Sequence, residues 1–158
     1  MSNDVRGYFE LSDKNMVNEL IHICEKKYDL GIEQISRETL YNFPEDFIPK
    51  HEENYFSFVI GDSPGETISS YLIDYIDYAP EADIGFPVNG KERLDILLSF
   101  LSDAVEISKV TKLVIALTDC NQIEITRRIH VSEIYEVIHS DFEKYQSPPD
   151  TLYEITCN

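Results

Sequence analysis

Apolar and polar positions alternate near the start of the chain. Val5, Gly7, Phe9 and Leu11 face one way; Arg6, Tyr8 and Glu10 face the other. A two-residue period predicts a half-buried strand. The period then lengthens. Met16, Val17, Leu20, Ile21, Cys24 and Tyr28 recur at helical spacing, with Ser12 placed as a cap and Asp13 in the first turn. Lys26 and Lys27 suit the C-terminal end of that helix, and Gly31 is a stop signal. Residues 32–43 fit neither period, and Pro44 and Pro49 bracket a loop. Residues 55–60 are aromatic and β-branched, which predicts a second strand.

Ser63-Pro64-Gly65-Glu66 combines a capping serine, a proline at the first helical position and a glutamate three residues after the cap. Ile68, Tyr71, Leu72, Tyr75, Ile76 and Ala79 follow at helical spacing, so a helix is expected over 64–79, ended by Pro80. Asn89-Gly90-Lys91-Glu92 repeats the capping logic. Leu94, Leu97, Leu98, Leu101 and Val105 form the stripe of the next helix, and Ile96, Phe100 and Ile107 widen it, which predicts deep burial. Residues 113–117 are continuously apolar, as in a strand covered on both faces. Asp119-Cys120-Asn121 reads as a turn into the alternating Ile123, Ile125 and Ile129, so the pair is expected to form a hairpin. Ser132 is placed to cap a third strong helix through Ile134, Ile138, Phe142 and Tyr145. Pro148-Pro149 breaks the chain before a last strand over 152–157. The expected architecture is α+β: one globular domain over 1–158, a mixed or antiparallel sheet with about three to four helices packed on it.

Charge changes the picture. The 158 residues carry 30 acids against 13 Lys and Arg, a net charge of −17. Small soluble domains typically carry roughly 2–8 units. Such a surface repels nucleic-acid backbones and anionic membranes and attracts basic proteins. The expectation is therefore a basic protein partner, with no direct nucleic acid and no membrane. The first residues show no basic region followed by an apolar run. Apolar runs stay far short of the ~20 residues a membrane helix needs. Cys24, Cys120 and Cys157 are scattered without metal or redox spacing. A cytoplasmic, reduced protein is expected.

The familiar chemistries leave no trace. There is no G-x-S-x-G elbow and no Walker or dinucleotide glycine pattern. His22, His51, His130 and His139 are spread out, and the spacing of His130 and His139 does not build one helical metal face. Asp74, Asp77, Glu81 and Asp83 cluster before Gly85 without the spacing of a calcium loop. No catalytic residue, metal or cofactor is assigned, and the chain reads as a non-enzyme.

One stretch stands above background. From Tyr41 to Phe86 there are ten acids and one base, Lys50, interleaved with Tyr55, Tyr71, Tyr75 and Tyr78. On a helix over 64–79, Ser70, Asp74 and Asp77 share the face opposite the apolar stripe, and Tyr78 lies beside it. Tyrosine supplies contact area at low entropy cost, and carboxylates pair with arginine or lysine across an interface. Asp74, Tyr75, Asp77, Tyr78, Glu81 and Asp83 are therefore the candidate partner-binding residues.

With its single acidic domain and this tyrosine-bearing acidic stretch, the chain resembles bacterial immunity proteins. These are the small cytosolic antitoxins of contact-dependent growth inhibition and related polymorphic toxin systems. Immunity folds are diverse, so the resemblance assigns no residue a role by position. It implies a protein that binds and neutralises a basic toxin domain, often a nuclease, with acids standing in for phosphates. Two rivals are an acidic adaptor or DNA-mimic inhibitor from a phage or mobile element, directed at a host DNA-binding protein, and a small enzyme with a carboxylate site.

Overall fold

The computed structural model describes residues 5–50, 54–61, 64–65, 90–118, 122–145 and 148–157. Six strands make one sheet: β1 (Val5–Leu11), β2 (Gly31–Gln34), β3 (Tyr55–Gly61), β4 (Val110–Leu117), β5 (Ile125–His130) and β6 (Thr151–Thr156). Their order is β2-β3-β1-β4-β6-β5. Every pairing is antiparallel except β5 with β6, which is parallel. The helices are α1 (Val17–His22), which runs on through a π-turn at Ile23–Lys27, α2 (Gly90–Ser108) and α3 (Ile134–Tyr145). This is the expected α+β class with a mixed sheet. Among the described residues no helix is long and apolar enough to cross a membrane.

The sheet is covered on both faces. Val5, Phe9, Phe58, Leu113, Ile115, Tyr153 and Ile155 meet Leu20, Leu97, Leu101 and Phe142 of the helices in the larger core. Opposite, Tyr8, Val114, Ala116 and Leu152 meet Leu40 and Phe43 in a smaller cluster. Tyr8, on the side of β1 predicted to be solvated, is therefore buried. The reason is the segment that fits neither period and the loop after it: two short 3₁₀ turns, Arg37–Leu40 and Glu45–Phe47, flank a stretch that brings Leu40 and Phe43 onto that face. Where β1 crosses β4 the backbones run close. A Cβ at Gly7 would lie 2.1 Å from the Val114 carbonyl oxygen, so only glycine fits.

The expected hairpin is not formed. β4 pairs with β6, and β5 lies outside β6, to which α3 connects it. Adjacent strand residues point to opposite faces, so a central strand carrying Arg127-Arg128 would bury a guanidinium. At the edge both reach solvent, while the apolar Leu152, Tyr153 and Ile155 take the interior. Parallel neighbours need a crossover, and α3 supplies it.

Local signals also shift. Asp13, not Ser12, caps the first turn, accepting from the Asn15 N–H at 3.0 Å. The first helix ends at Asp29, held at φ 55°, and Gly31 opens β2. His130, not Ser132, caps the turn into α3: its Nδ1 accepts from the Ser132 N–H at 3.2 Å, and Glu133 accepts from the His130 N–H at 3.0 Å. Gly65 has φ 82° in a turn, so no right-handed helix runs through it, contrary to the reading of 64–79. The rest of that stretch lies outside the described residues.

Candidate partner-binding face

The residues chosen from the sequence, Asp74, Tyr75, Asp77, Tyr78, Glu81 and Asp83, all lie outside the described residues. The chemistry that singled them out, tyrosine beside carboxylate, is present elsewhere, on the helical layer.

Helix α2 forms because Leu94, Leu97, Leu98, Leu101, Ala104 and Val105 recur on one side, and all are buried. The complementary side carries Asp95, Ser99, Ser102, Asp103 and Glu106 at three- and four-residue steps, which stack along one face. Ile96 and Ile107 belong to this outer side too. They are 38% and 41% exposed, so the stripe does not widen to include them as expected. Three helical turns separate the two, placing them about 16 Å apart along the axis.

Neighbouring elements border this face. From the π-turn, Lys27 Nζ donates to Asp103 Oδ2 at 2.6 Å. The Tyr28 hydroxyl donates to the same oxygen and, at 3.3 Å, to the Ser99 carbonyl. Tyr28 reaches this position because its ring packs edge-on against Phe100, centroids 5.9 Å apart. From α3, the Tyr135 hydroxyl lies 2.5 Å from Ser99 Oγ, and His139 Nε2 lies 2.5 Å from Asp95 Oδ1. The Tyr135 and His139 rings stack at 6.5 Å. Ser99 thus sits between two tyrosine hydroxyls.

The electrostatics follow. Lys27, and after it the Tyr28 hydroxyl, hold the Asp103 carboxyl below its ordinary range. Burial, then the Asp103 hydrogen bond, push the Tyr28 phenol up, so it stays a donor at neutral pH. The Asp95 side chain is 51% exposed and Tyr135 41%. The face therefore offers carboxylates among exposed isoleucine and tyrosine, the mixture expected of a protein-binding surface.

At the C-terminal end of α2 the face falls into a cleft of about 510 Å³, bordered by Ser102, Lys109, Thr111, Ser132 and Cys157. Burial pushes the Cys157 thiol up to about 11, so it is protonated and a poor nucleophile at neutral pH. Ser132 Oγ lies 2.8 Å from His130 Nδ1, but that nitrogen also accepts from the Ser132 backbone in the helix cap. The pair is explained by capping. Among the described residues no group of His, Cys, Asp and Glu side chains is arranged to hold a metal ion.

Periodicity marks Asp95, Ser99 and Asp103 as the polar side of α2. Tyr28 and Tyr135 carry no such signal, because they reach the ridge from other elements through the fold. Comparison with protein-family models, curated proteins and solved structures yields no match. Fold and surface together describe an α+β protein with a carboxylate- and tyrosine-bearing helical face.

Proposed function

We propose that this protein is an antitoxin of the immunity type, which binds and neutralises a basic toxin domain. The observation that supports it best is the outer side of α2: Asp95, Asp103 and Glu106 beside Tyr28, Tyr135, Ile96 and Ile107, in a chain of net charge −17. Arginine and lysine of the partner pair with the carboxylates, while the tyrosines and isoleucines supply desolvated contact. If the target is a nuclease, the carboxylates occupy positions that phosphates otherwise fill. Asp74, Tyr75, Asp77, Tyr78, Glu81 and Asp83 form a second acidic stretch that the same partner can read.

The test is calorimetry with the toxin domain encoded by the adjacent gene. Saturable binding with loss of toxin activity is expected. Reversing Asp95 and Glu106 together to lysine is expected to weaken binding about a hundredfold or more, since juxtaposed like charges cost several kcal/mol. Reversing Asp74 and Asp77 tests the other stretch in the same way. A neighbouring product that neither binds nor is inhibited would sink the proposal. Stoichiometric binding to a host DNA-binding protein instead would favour the DNA-mimic reading.

A further inference from the structure

The outer edge of β5 makes the opposite demand on a partner. Among the described residues no strand pairs with this edge. Ile125, Thr126, Arg127 and Arg128 are all exposed. An edge strand presents unpaired N–H and C=O groups, a ready template for another strand. Beside its first residue lies a notch of about 160 Å³, walled by Ile125, Tyr145, Pro148 and Pro149 and rimmed by Glu124 and Asp150. Ile125 is 40% exposed there and Tyr145 46%.

Arg127 and Arg128 point to opposite faces of the sheet and so flank the edge on both sides. Each gives one nitrogen to its own carboxylate, Asp141 or Glu154. Their side chains remain 42% and 74% exposed, and a guanidinium has five N–H donors. The same pair argues against a second copy of this chain. In a two-fold antiparallel pair, residues directly opposite share a face, so the registers centred on the arginines place Arg127, or Arg128, opposite its own copy. Like charges directly opposite are destabilising.

We infer that the β5 edge accepts an extended acidic segment of a partner protein by strand addition. Two consecutive carboxylate residues lie opposite Arg127 and Arg128. One apolar side chain, two positions from the first of them, fills the notch beside Ile125 and Tyr145. Main-chain bonds supply affinity in this mode and side-chain pockets supply specificity. The inference stands apart from the antitoxin proposal, whose face attracts the opposite charge.

Fluorescence anisotropy at low salt tests it with the full chain. The probes are labelled peptides centred on Leu-Thr-Glu-Glu and on the reverse order, Glu-Glu-Thr-Leu, because either strand direction satisfies the pattern. Controls carry Lys-Lys in place of Glu-Glu. Saturable binding of one acidic peptide is expected, at least about tenfold tighter than its lysine control. Amide shifts should map to β5. Thr126→Glu adds a carboxylate to the exposed edge without touching either ion pair, and Arg128→Gln removes one charge. Both are expected to weaken the acidic peptide; thermal stability stays near that of the parent in Thr126→Glu and falls in Arg128→Gln, which leaves the nearly buried Glu154 without its ion-pair partner. No saturable binding, equal binding of the lysine controls, or unchanged affinity in both variants would overturn the inference.

Discussion

Arg127 and Arg128 are adjacent in sequence yet live in different surroundings. On the helical side, Arg127 Nη1 donates to both oxygens of Asp141, at 2.7 and 2.8 Å. Asp141 also accepts from the buried Tyr153 hydroxyl at 2.7 Å. On the other side, Arg128 Nε donates to Glu154 Oε1 at 2.5 Å, and its side chain is 74% exposed. Both carboxylates are nearly buried, at 12% and 11% side-chain exposure. What differs is the company each keeps. Asp141 ties strand, helix and strand together through three hydrogen bonds, whereas Glu154 anchors one solvated guanidinium. Two ion pairs of similar length are therefore expected to differ severalfold in worth, because the group left behind after a deletion decides the cost.

Asp141→Ala should show this most strongly. It leaves the fully buried Tyr153 hydroxyl without its acceptor and frees Arg127. Breaking a buried pair costs about 3–5 kcal/mol, and the partial exposure of Arg127 places this one near the lower end, about 3 kcal/mol. Urea unfolding measures it. A loss below about 1 kcal/mol would erase the distinction, since exposed pairs contribute that little. Tyr153→Phe comes next. It removes one donor but leaves Asp141 paired with Arg127, so about 1–2 kcal/mol is expected. Burial, then the bond to Asp141, push the Tyr153 phenol up, so it remains a donor across the physiological range.

Glu154→Ala should cost less, about 1 kcal/mol, because Arg128 is already solvated and keeps its hydration. A double-mutant cycle with Arg128→Ala separates the pair from packing. Added salt should reduce this coupling more than the Arg127–Asp141 coupling, since exposed charges are screened more. Equal sensitivity to salt would mean that the two sides of β5 are alike.

The sequence shows much of this fold and little of its surface. β1 and β4 are legible because alternation and a continuous apolar run each demand one kind of burial. α2 and α3 are legible because leucine and isoleucine repeat on one side. The place of β5 is not, because strand order depends on which strand best tolerates an edge, and that emerges only when Arg127 and Arg128 are weighed against Leu152 and Tyr153. The caps at Asp13 and His130 compete with neighbouring serines of equal promise, and backbone geometry decides between them. The helical face is half legible: period marks Asp95, Ser99 and Asp103, but Tyr28 and Tyr135 arrive from elements distant in sequence.

The smallest expected effect bears on that face and contrasts a surface pair with the buried Asp141 network. Lys27 and then Tyr28 hold the Asp103 carboxyl below its ordinary value of 3.8. A carboxyl depressed in the folded state contributes stability that is fully present above the unfolded value. The contribution is lost as pH falls through the lower folded value. It is therefore intact at neutral pH and fades below about pH 4. Lys27 is 61% exposed and Asp103 27%, so solvent screening keeps the contribution small. Asp103→Asn should barely move stability at pH 7 once the altered hydrogen bonds are allowed for, and should flatten the acid limb of a stability–pH curve below about pH 4. An unchanged acid limb would mean that the Lys27–Tyr28–Asp103 contact is not formed in solution. The acidic ridge would then lose the residue that fixes Tyr28 beside it, and Asp95 and Tyr135 would be left to carry the face from the α3 side.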